Sequence, residues 1–330
     1  MRVTGSATQP RIRIDVLVDD AHRRAEFYEA TFWSLRATPR ELPASWLYDE
    51  RGSILFDEIT RLPEYYPTSA EREILAARAA EIAELTKGRT LVELGAGTSE
   101  KTLLLLDALS AAGTLERFVP LDVSDDILRL SAEAIAERYP TISVHGIVGD
   151  FERDLAATPS GENRVIAFLG STIGNLYPER RATLLRAIAA ALAPGDSFLL
   201  GIDLVKDPAV IERAYNDSAG VTEQFVRNGL AAANRDLGAD FVQERFVFDA
   251  FWDSEHERMD IGFNAIEAHT VHIAELDTEL DFAEGERLRV EVSTKFRRDG
   301  IESELTDAGL HVTDWWTDAA SAFALLRATG

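Results

Sequence analysis

The sequence contains no cysteine among its 330 residues. Without cysteine the chain cannot form a disulfide framework, a thiolate metal site or a thiol nucleophile. It also has no run of about 18 apolar residues, the length that a membrane-spanning helix requires. A membrane protein is therefore not expected. Because residues 1–6 lack the basic-then-apolar layout of a secretory signal, the cytoplasm is the expected compartment.

Basic residues are scarce in this chain. The 34 lysines and arginines are outnumbered by 57 aspartates and glutamates, which gives a formal net charge of -23 at pH 7. Such a charge repels a phosphate backbone at long range, and no basic cluster with interleaved aromatic residues offsets it. Nucleic acid is therefore not an expected partner. We interpret the acidic residues as a solvated surface, and we expect a monomer that acts on a small molecule.

Short apolar runs alternate with amphipathic stretches between Thr90 and Val205. The alternation predicts a mainly parallel sheet that is covered by helices on both faces. The apolar runs predict strands at residues 91–94, 118–122, 142–148, 165–169 and 197–202. The amphipathic stretches predict helices near residues 99–112, 125–138 and 179–193. Two more strands, at residues 312–317 and 322–328, are expected to close the edge of this sheet.

The flanking segments have other patterns. Residues 1–70 show no strand-helix alternation and end in a proline-bracketed loop, after which Thr68 and Glu71 predict a capped helix through Glu84. Helices are predicted at residues 208–215 and 221–237, and another at 301–308. The alternation in residues 246–297 predicts a β-rich unit. The pattern as a whole indicates an α/β protein with an inserted β-rich segment.

Two glycines, Gly95 and Gly97, follow the first predicted strand of the sheet. Open α/β sheets bind ligands at the carboxyl ends of their strands, and glycines let the backbone turn sharply beside a ligand. A dinucleotide-binding fingerprint would carry a third glycine at the position of Glu100, whose charge is unfavourable next to a pyrophosphate. The loop therefore favours a cofactor without phosphate at this point.

Polar residues follow the next three predicted strands. Asp122 stands where a carboxylate accepts hydrogen bonds from ribose hydroxyls, or caps a helix. Asp150 and Phe151 suit an adenine amino group and ring, or form a turn and a core aromatic residue. Asn175 offers a donor and an acceptor to the polar groups of an amino acid. Together with the glycine loop, this set is typical of an S-adenosylmethionine-dependent methyltransferase.

No metal site is predicted. His269 and His272 lie three apart in a strand-like segment, so their side chains point to opposite faces and make a poor pair of ligands. The segment from Gly170 to Gly174 also lacks the spacing of a nucleophile elbow.

The chain resembles the histidine-specific Nα-methyltransferases, which form the betaine hercynine on the way to ergothioneine. The resemblance extends from about Leu42 onward. It is densest in residues 55–68 (LFDEITRLPEYYPT), 94–102 (LGAGTSEKT), 168–176 (FLGSTIGNL) and 204–207 (LVKD). These runs are far more specific than a glycine motif alone.

The resemblance implies a Rossmann-like class I methyltransferase sheet with S-adenosylmethionine as cofactor, formed by residues 70–205 and 296–330. It implies a second, α+β substrate-binding domain from residues 1–69 and 206–295. The implied reaction is Nα-methylation of L-histidine, continued to the trimethylated hercynine. The implied cofactor contacts are Gly95, Lys101, Asp122, Asp150 and Phe151.

The resemblance also implies the substrate contacts, which are Tyr65, Asn175, Tyr215, Glu291 and Ser293. Asn175 and Tyr215 are expected at the carboxylate of histidine, and Glu291 and Ser293 at its imidazole. The last two lie two apart in a predicted strand, so they share one face and can both contact one edge of a ring. For catalysis, Tyr48 or a water held near Asn175 is the expected proton acceptor.

One segment departs from the family. Ile261-Gly262 replaces the Met-Trp that family members carry near the substrate's ring. An N-methyltransferase of another aromatic amino acid, such as tryptophan, is therefore the main alternative. A non-catalytic regulatory protein that binds the cofactor and an NAD-dependent oxidoreductase are more remote alternatives.

Overall fold

The computed structural model describes residues 11–17, 20–97 and 101–330. The strands in these residues are β1 (Ile12–Val16), β2 (Arg40–Glu41), β3 (Thr90–Leu94), β4 (Arg117–Asp122), β5 (Ser143–Val148), β6 (Arg164–Phe168), β7 (Ser197–Asp203), β8 (Phe246–Asp253), β9 (Arg258–Ala265), β10 (His269–Ile273), β11 (Thr278–Phe282), β12 (Arg287–Thr294), β13 (His311–Thr317) and β14 (Phe323–Thr329).

The α-helices in the same residues are α1 (Asp20–Leu35), α2 (Glu50–Ile59), α3 (Tyr66–Thr86), α4 (Thr102–Ala111), α5 (Asp125–Arg138), α6 (Phe151–Asp154), α7 (Pro178–Ala191), α8 (Pro208–Tyr215), α9 (Val221–Leu237) and α10 (Arg298–Asp307). Short 3-10 helices occupy Ala44–Leu47, Leu155–Ala157, Thr172–Asn175, Gln243–Arg245 and Ala274–Leu276. Of the helices in these described ranges, none combines the length and apolar character needed to cross a bilayer.

An eight-stranded sheet forms the centre of the fold, in the order β1-β5-β4-β3-β6-β7-β14-β13. The first six strands of this order run parallel, and β14 and β13 continue the edge antiparallel. Every residue of β3, β6 and β7 is buried, because helices cover both faces of the sheet. The predicted α/β class is confirmed, and so are the two strands that close the edge.

Strand β1 differs from the sequence-based expectation. It pairs in parallel with β5, from Ile12 opposite Val144 to Val16 opposite Val148. Residues 12–16 therefore belong to the large sheet and not with the remainder of residues 1–69. The strand alternates apolar with charged residues and is only partly buried, since it lies at the sheet edge. It lacks the continuous apolar run that reveals the buried strands.

Helix α3 begins earlier than predicted. Its first residue is Tyr66, and Pro67 lies in the first turn, where a missing N–H removes no helical hydrogen bond. The prediction that Thr68 and Glu71 form a capping box at the helix start is therefore wrong. Glu71 faces inward and is fully buried, so its carboxylate serves another purpose.

A smaller sheet, in the order β2-β12-β9-β8, packs against the helices α2, α8 and α9. Its hydrophobic cluster draws on residues 35–59 and 211–290, whereas two other clusters fill the faces of the large sheet. The sheets meet where β12 contacts the 3-10 helix Thr172–Asn175. A Cβ atom on Gly174 would lie 2.7 Å from the carbonyl oxygen of Thr294, so only glycine permits this approach.

Gly262 lies on the opposite side of β9 from the substrate position that the sequence suggested. In the pairing with β12, Ile261 is opposite Glu291 and Gly262 is opposite Arg289, beside a bulge. Because side chains alternate along a strand, position 262 points away from Glu291 and Ile261 shares its face. Of the two departing residues, only Ile261 thus shares the face of Glu291.

We expect Gly262→Ala to destabilise the fold by about 1–3 kcal/mol, the usual cost of overpacking. The new Cβ atom would lie 2.3 Å from the carbonyl oxygen of Leu288 and 2.9 Å from the Cα atom of Arg289, so β12 has to move. Urea unfolding measures the loss. Gly300→Ala is the matched control, because its Cβ atom meets open space on α10. Equal stability of the two variants would contradict the packing argument.

Candidate active site

Five loops meet at one edge of the large sheet. Strands β3 to β7 run parallel, so the residues after each strand gather at the same edge. The structure places there Gly95, Asp122, Asp150, Gly170 and the strand-terminal Asp203. This edge is the crevice in which an open α/β sheet binds its ligand.

The first loop is built around two glycines with positive φ. Gly95 has φ 68° and Gly97 has φ 48°, and no atom of the residues that the structure describes lies within 4 Å of the position that a Cβ atom on Gly97 would occupy. The Gly97 N–H donates to Oδ2 of Asp122 at 2.9 Å. The loop thus leaves open space directly beside a carboxylate. Glu100, the residue that counted against a dinucleotide, lies outside the described residues.

Asp122 joins this loop to the end of β4. Its Oδ1 accepts from the Ser124 N–H at 2.9 Å, in addition to the bond from Gly97. Burial raises the pKa of the Asp122 carboxyl, and the backbone N–H groups of Ser124, Gly97 and Val123 partly offset that rise. A carboxylate has about four acceptor sites, and three backbone N–H groups occupy three of them. Asp122 can therefore accept one further donor, such as a ribose hydroxyl.

Asp150 and Phe151 border the same space. Oδ1 of Asp150 accepts from the Glu152 N–H at 2.9 Å and so caps the short helix α6. The Phe151 ring lies 5.0 Å from that of Phe168, and its edge is 3.9 Å from the position of a Cβ atom on Gly95. Phe151 is only half-buried. Asp150 therefore caps a helix and Phe151 packs against a core ring. Both residues also line the open space beside Gly95.

Glu71 is a site residue that the sequence reasoning missed. Its buried carboxylate pairs with Lys101 and accepts from the Gly170 N–H at 2.8 Å. A Cβ atom on Gly201 would lie 2.0 Å from Oε1 of Glu71, so the carboxylate fills the space that this glycine leaves. Glu71 thereby fixes Lys101 beside the loop that follows β6. One feature of the sequence could have indicated this role: Glu71 is an acidic residue that follows Ala70 in the buried stripe of α3.

Asn175 and Glu291 contact each other directly. The Asn175 side-chain N–H₂ donates to Oε1 of Glu291 at 2.8 Å. Tyr215 and Ser293 form a second pair, with their hydroxyl oxygens 2.9 Å apart. Four of the five predicted substrate residues therefore form two hydrogen-bonded pairs. Each hydrogen bond, however, joins one residue expected at the carboxylate of histidine to one expected at its imidazole, so the two ends are not separate pockets in this structure.

Two further residues support the second pair. The Lys295 ammonium donates to the Tyr215 hydroxyl at 2.7 Å and to the Ser293 hydroxyl at 2.9 Å, and it lies 2.8 Å from Oδ2 of Asp203. Both Lys295 and Asp203 are buried. Sequence reasoning missed them because a lysine in a strand and an aspartate at a strand end look like solvated residues. Only the contact between the two sheets buries them.

An aromatic cluster encloses the same region. The Tyr65 ring lies 6.0 Å from Tyr215 and 6.5 Å from Phe56, and the Tyr48 ring lies 5.7 Å from Phe56 and 5.3 Å from Phe225. The structure therefore brings Tyr48 and Tyr65 into one cluster. Tyr48 is 38% exposed as a residue, but its hydroxyl is buried, which raises the pKa of the phenol.

The carboxyl group of Glu291 is electrostatically unusual. Burial raises its pKa to about 7, although the positive charge of Lys295 opposes the rise. The group is thus poised between its neutral and ionised forms near neutral pH. Among the described side chains, no group of three or more histidine, aspartate or glutamate residues is arranged to hold a metal ion.

The fold and this edge of the sheet define an S-adenosylmethionine-dependent methyltransferase of the Rossmann-like type. The residues present suit the cofactor: open space beside two glycines, a carboxylate with a free acceptor site, an accessible aromatic ring and a lysine. More narrowly, the chain belongs to the SAM-dependent histidine-specific methyltransferase family, whose model matches residues 27–329.

Curated relatives agree with the family. The histidine N-alpha-methyltransferases of Mycobacterium tuberculosis and Mycolicibacterium smegmatis are each 52% identical to this chain over 291 residues, which cover 88% of this chain and 91% of each relative. Ergothioneine biosynthesis protein 1 of Neurospora crassa is 36% identical over 287 residues, which cover 84% of this chain and 32% of that longer protein.

We expect Asp122→Ala to weaken binding of S-adenosylhomocysteine by about 1.5–3 kcal/mol, the scale for hydrogen bonds to a charged group. The variant removes the carboxylate that adjoins Gly97. Isothermal titration calorimetry measures the change. Asp126→Ala is the matched control, because Asp126 is an exposed carboxylate in the first turn of α5. Unchanged affinity of Asp122→Ala would remove this residue from the cofactor site.

Proposed function

We propose that this protein transfers methyl groups from S-adenosylmethionine to the α-amino nitrogen of L-histidine and forms hercynine, a step of ergothioneine biosynthesis. The family and the 52% identical histidine N-alpha-methyltransferases support the reaction. The observation that carries the choice of histidine is the pairing of Glu291 with Ser293 on one face of β12. The ionised Glu291 accepts a hydrogen bond and the Ser293 hydroxyl can donate one. A neutral imidazole has one N–H donor and one acceptor nitrogen, so it matches both.

We assign the cofactor to the edge of the large sheet. Gly95 and Gly97 give it room, Asp122 receives a ribose hydroxyl, and Asp150 with Phe151 receives its adenine. Lys101, held by Glu71, is the cation for its carboxylate. When bound, the cofactor supplies an electrophilic methyl group on a sulfonium. The chain itself contributes alignment and the exclusion of water, which are the main requirements of an in-line displacement.

We assign the substrate to the space between that edge and β12. Asn175 lies at the end of the loop after β6, between the cofactor residues and Glu291. Its amide can turn its acceptor or its donors toward the amino and carboxylate groups of histidine. Tyr65 and Tyr215 complete the polar contacts. Burial raises the pKa values of both phenols, so both keep their protons.

The attacking amine must be neutral, and it must lose a proton after the first and the second transfer, whereas the third leaves no N–H to lose. We assign the role of acceptor to Tyr48 or to a water that Asn175 holds. Burial raises the pKa of the Tyr48 phenol, so this hydroxyl keeps its own proton and can only relay another, which favours the water. The methylated product becomes a fixed cation. The faces of Tyr48, Phe56 and Tyr65 supply cation-π stabilisation for it.

We infer that residues 206–295, with the N-terminal residues that follow β1, form a separate substrate-binding domain. The hydrophobic cluster confined to residues 35–59 and 211–290 supports this division. We further infer a cytoplasmic monomer that does not bind nucleic acid, on the basis of the net charge of -23. Light scattering of the purified chain gives its molar mass in solution and so tests the monomer. The mass of a dimer at micromolar concentration would contradict the inference.

The proposed reaction is tested by incubating the purified chain with each of the twenty amino acids and labelled S-adenosylmethionine. Mass spectrometry of the products should show trimethylated histidine. An indole offers a donor but no acceptor, so it would leave the Ser293 hydroxyl unpaired at a cost of roughly 1–3 kcal/mol. Tryptophan should therefore be methylated less efficiently. Preferential methylation of tryptophan would overturn the choice of substrate, and binding without turnover would favour a regulatory protein.

The pH dependence of kcat/KM for histidine should reflect the ionisation of Glu291. The carboxylate is the stronger acceptor, so activity falls as the pH drops below about 7 and the group is protonated. The amine of the substrate titrates as well, but it does so equally in a Glu291→Gln variant. The ratio of wild-type to variant kcat/KM should therefore rise through pH 7 and level off above it. A ratio that is constant with pH would show that Glu291 does not act as an ionised acceptor.

A further inference from the structure

The buried ion pair of Asp203 and Lys295 lies directly behind the proposed ring-binding residues. Lys295 is 1% exposed and Asp203 is fully buried. The Asp203 carboxylate also accepts from the Tyr66 hydroxyl at 2.9 Å and pairs with Lys206. Neither Asp203 nor Lys295 has a role in the reaction described above. Burying two charges is costly, and folding does not require it here, because an apolar pair could fill the same space.

The donors of Lys295 are fully used. An ammonium has three N–H groups, and Lys295 directs them at Oδ2 of Asp203, at the Tyr215 oxygen and at the Ser293 oxygen, at 2.8, 2.7 and 2.9 Å. Both hydroxyl oxygens therefore act as acceptors toward Lys295. Their own protons must point elsewhere.

The mutual bond between the two hydroxyls uses one of those protons. Tyr215 and Ser293 lie 2.9 Å apart, and either oxygen could be the donor by distance alone. A phenol is the more acidic hydroxyl and thus the better donor, and burial keeps Tyr215 protonated. Ser293 then accepts from Lys295 and from Tyr215, which fills both of its acceptor sites. The Ser293 hydroxyl can then make one more hydrogen bond, as a donor through its own O–H.

We propose that Lys295, held in place by Asp203, is a positioning residue that makes Ser293 a hydrogen-bond donor to the substrate's ring. This inference rests on the proposed function. Because Ser293 donates and Glu291 accepts, the site binds one neutral tautomer of the imidazole, with its N–H toward Glu291 and its bare nitrogen toward Ser293. The positive charge of Lys295 behind Ser293 also disfavours an imidazolium at that position.

The tautomer can be observed in the wild-type protein. Histidine labelled with nitrogen-15 in its ring, bound together with S-adenosylhomocysteine, should show one protonated and one unprotonated ring nitrogen by NMR. Two protonated nitrogens, or averaged signals of exchanging tautomers, would overturn the inference. Histidine that does not bind at all would instead contradict the proposed function, so the two failures are distinguishable.

The role of Lys295 is tested by comparing histidine with β-(2-thienyl)alanine, whose five-membered ring has no nitrogen. Lys295→Met keeps the chain length but has no donors, so the Ser293 proton is free to turn toward Tyr215. The preference for histidine in kcat/KM should fall about tenfold, the effect expected for the loss of one hydrogen bond to a buried acceptor. Ser293→Ala should lower the preference by a similar factor. The double variant should lower it no further, because both changes remove the same interaction.

Lys206→Met is the matched control, since Lys206 also pairs with Asp203 but contacts neither hydroxyl among the described interactions. It should leave the preference for histidine unchanged. A Lys295→Met variant that slows both substrates equally, or whose effect multiplies with that of Ser293→Ala, would show a merely structural role. If Lys295→Met does not fold, as judged by its affinity for S-adenosylhomocysteine, the NMR measurement still decides the question.

Discussion

The ion pair between Asp203 and Lys295 joins the eight-stranded sheet of this protein to its four-stranded sheet. Asp203 ends β7 of the large sheet, and Lys295 follows β12 of the small one, with 2.8 Å between their charged atoms. Backbone hydrogen bonds reinforce the junction, from the Phe296 N–H to the Asp203 carbonyl and from the Val205 N–H to the Phe296 carbonyl. Removal of Asp203 would leave the buried charge of Lys295 without its carboxylate. The pair therefore helps to hold β12 over the sheet edge.

The site is the product of that junction. The large sheet brings Gly95, Asp122 and Asp150 to one edge, because parallel strands end together. The small sheet then lays Glu291 and Ser293 across this edge, and Gly174 lets the loop after β6 approach β12 closely enough for Asn175 to reach Glu291. Methyl transfer requires two molecules in one alignment. The junction of these two sheets supplies that alignment.

Buried carboxylates carry much of the positioning. Glu71 holds Lys101 and the backbone of Gly170, and Asp203 holds Tyr66, Lys206 and Lys295. Each has several partners, as a charge removed from water requires. Glu291 differs, because its direct hydrogen bond is to a neutral amide and its pKa rises to about 7. Of these three carboxylates, Glu291 has the fewest partners for its negative charge, and it is the one assigned to the substrate.

Local patterns in the sequence were sufficient for much of the fold. The buried strands β3 to β7 are continuous apolar runs, and the glycines and acids that follow them identified Gly95, Asp122, Asp150 and Asn175 as residues of one edge. The segments 55–68, 94–102, 168–176 and 204–207 indicated the family. The edge strand β1 escaped notice, because a half-buried strand has no continuous apolar run. The start of α3 was misplaced, because Pro67 fits a first helical turn as well as a loop.

The sequence by itself determined which loops end at the ligand edge, since strand-helix alternation predicts parallel strands and the carboxyl ends of parallel strands share one edge. Contacts between residues far apart in the chain were decided only by the tertiary structure. Glu71 with Gly170, Asn175 with Glu291, and Asp203 with Lys295 are separated by about a hundred residues each, and no local pattern encodes such a pairing. The direction of Gly262 depends on the register and the bulge of β12. A charged residue has the same local signature whether it faces water or a buried partner, and packing alone decides between the two.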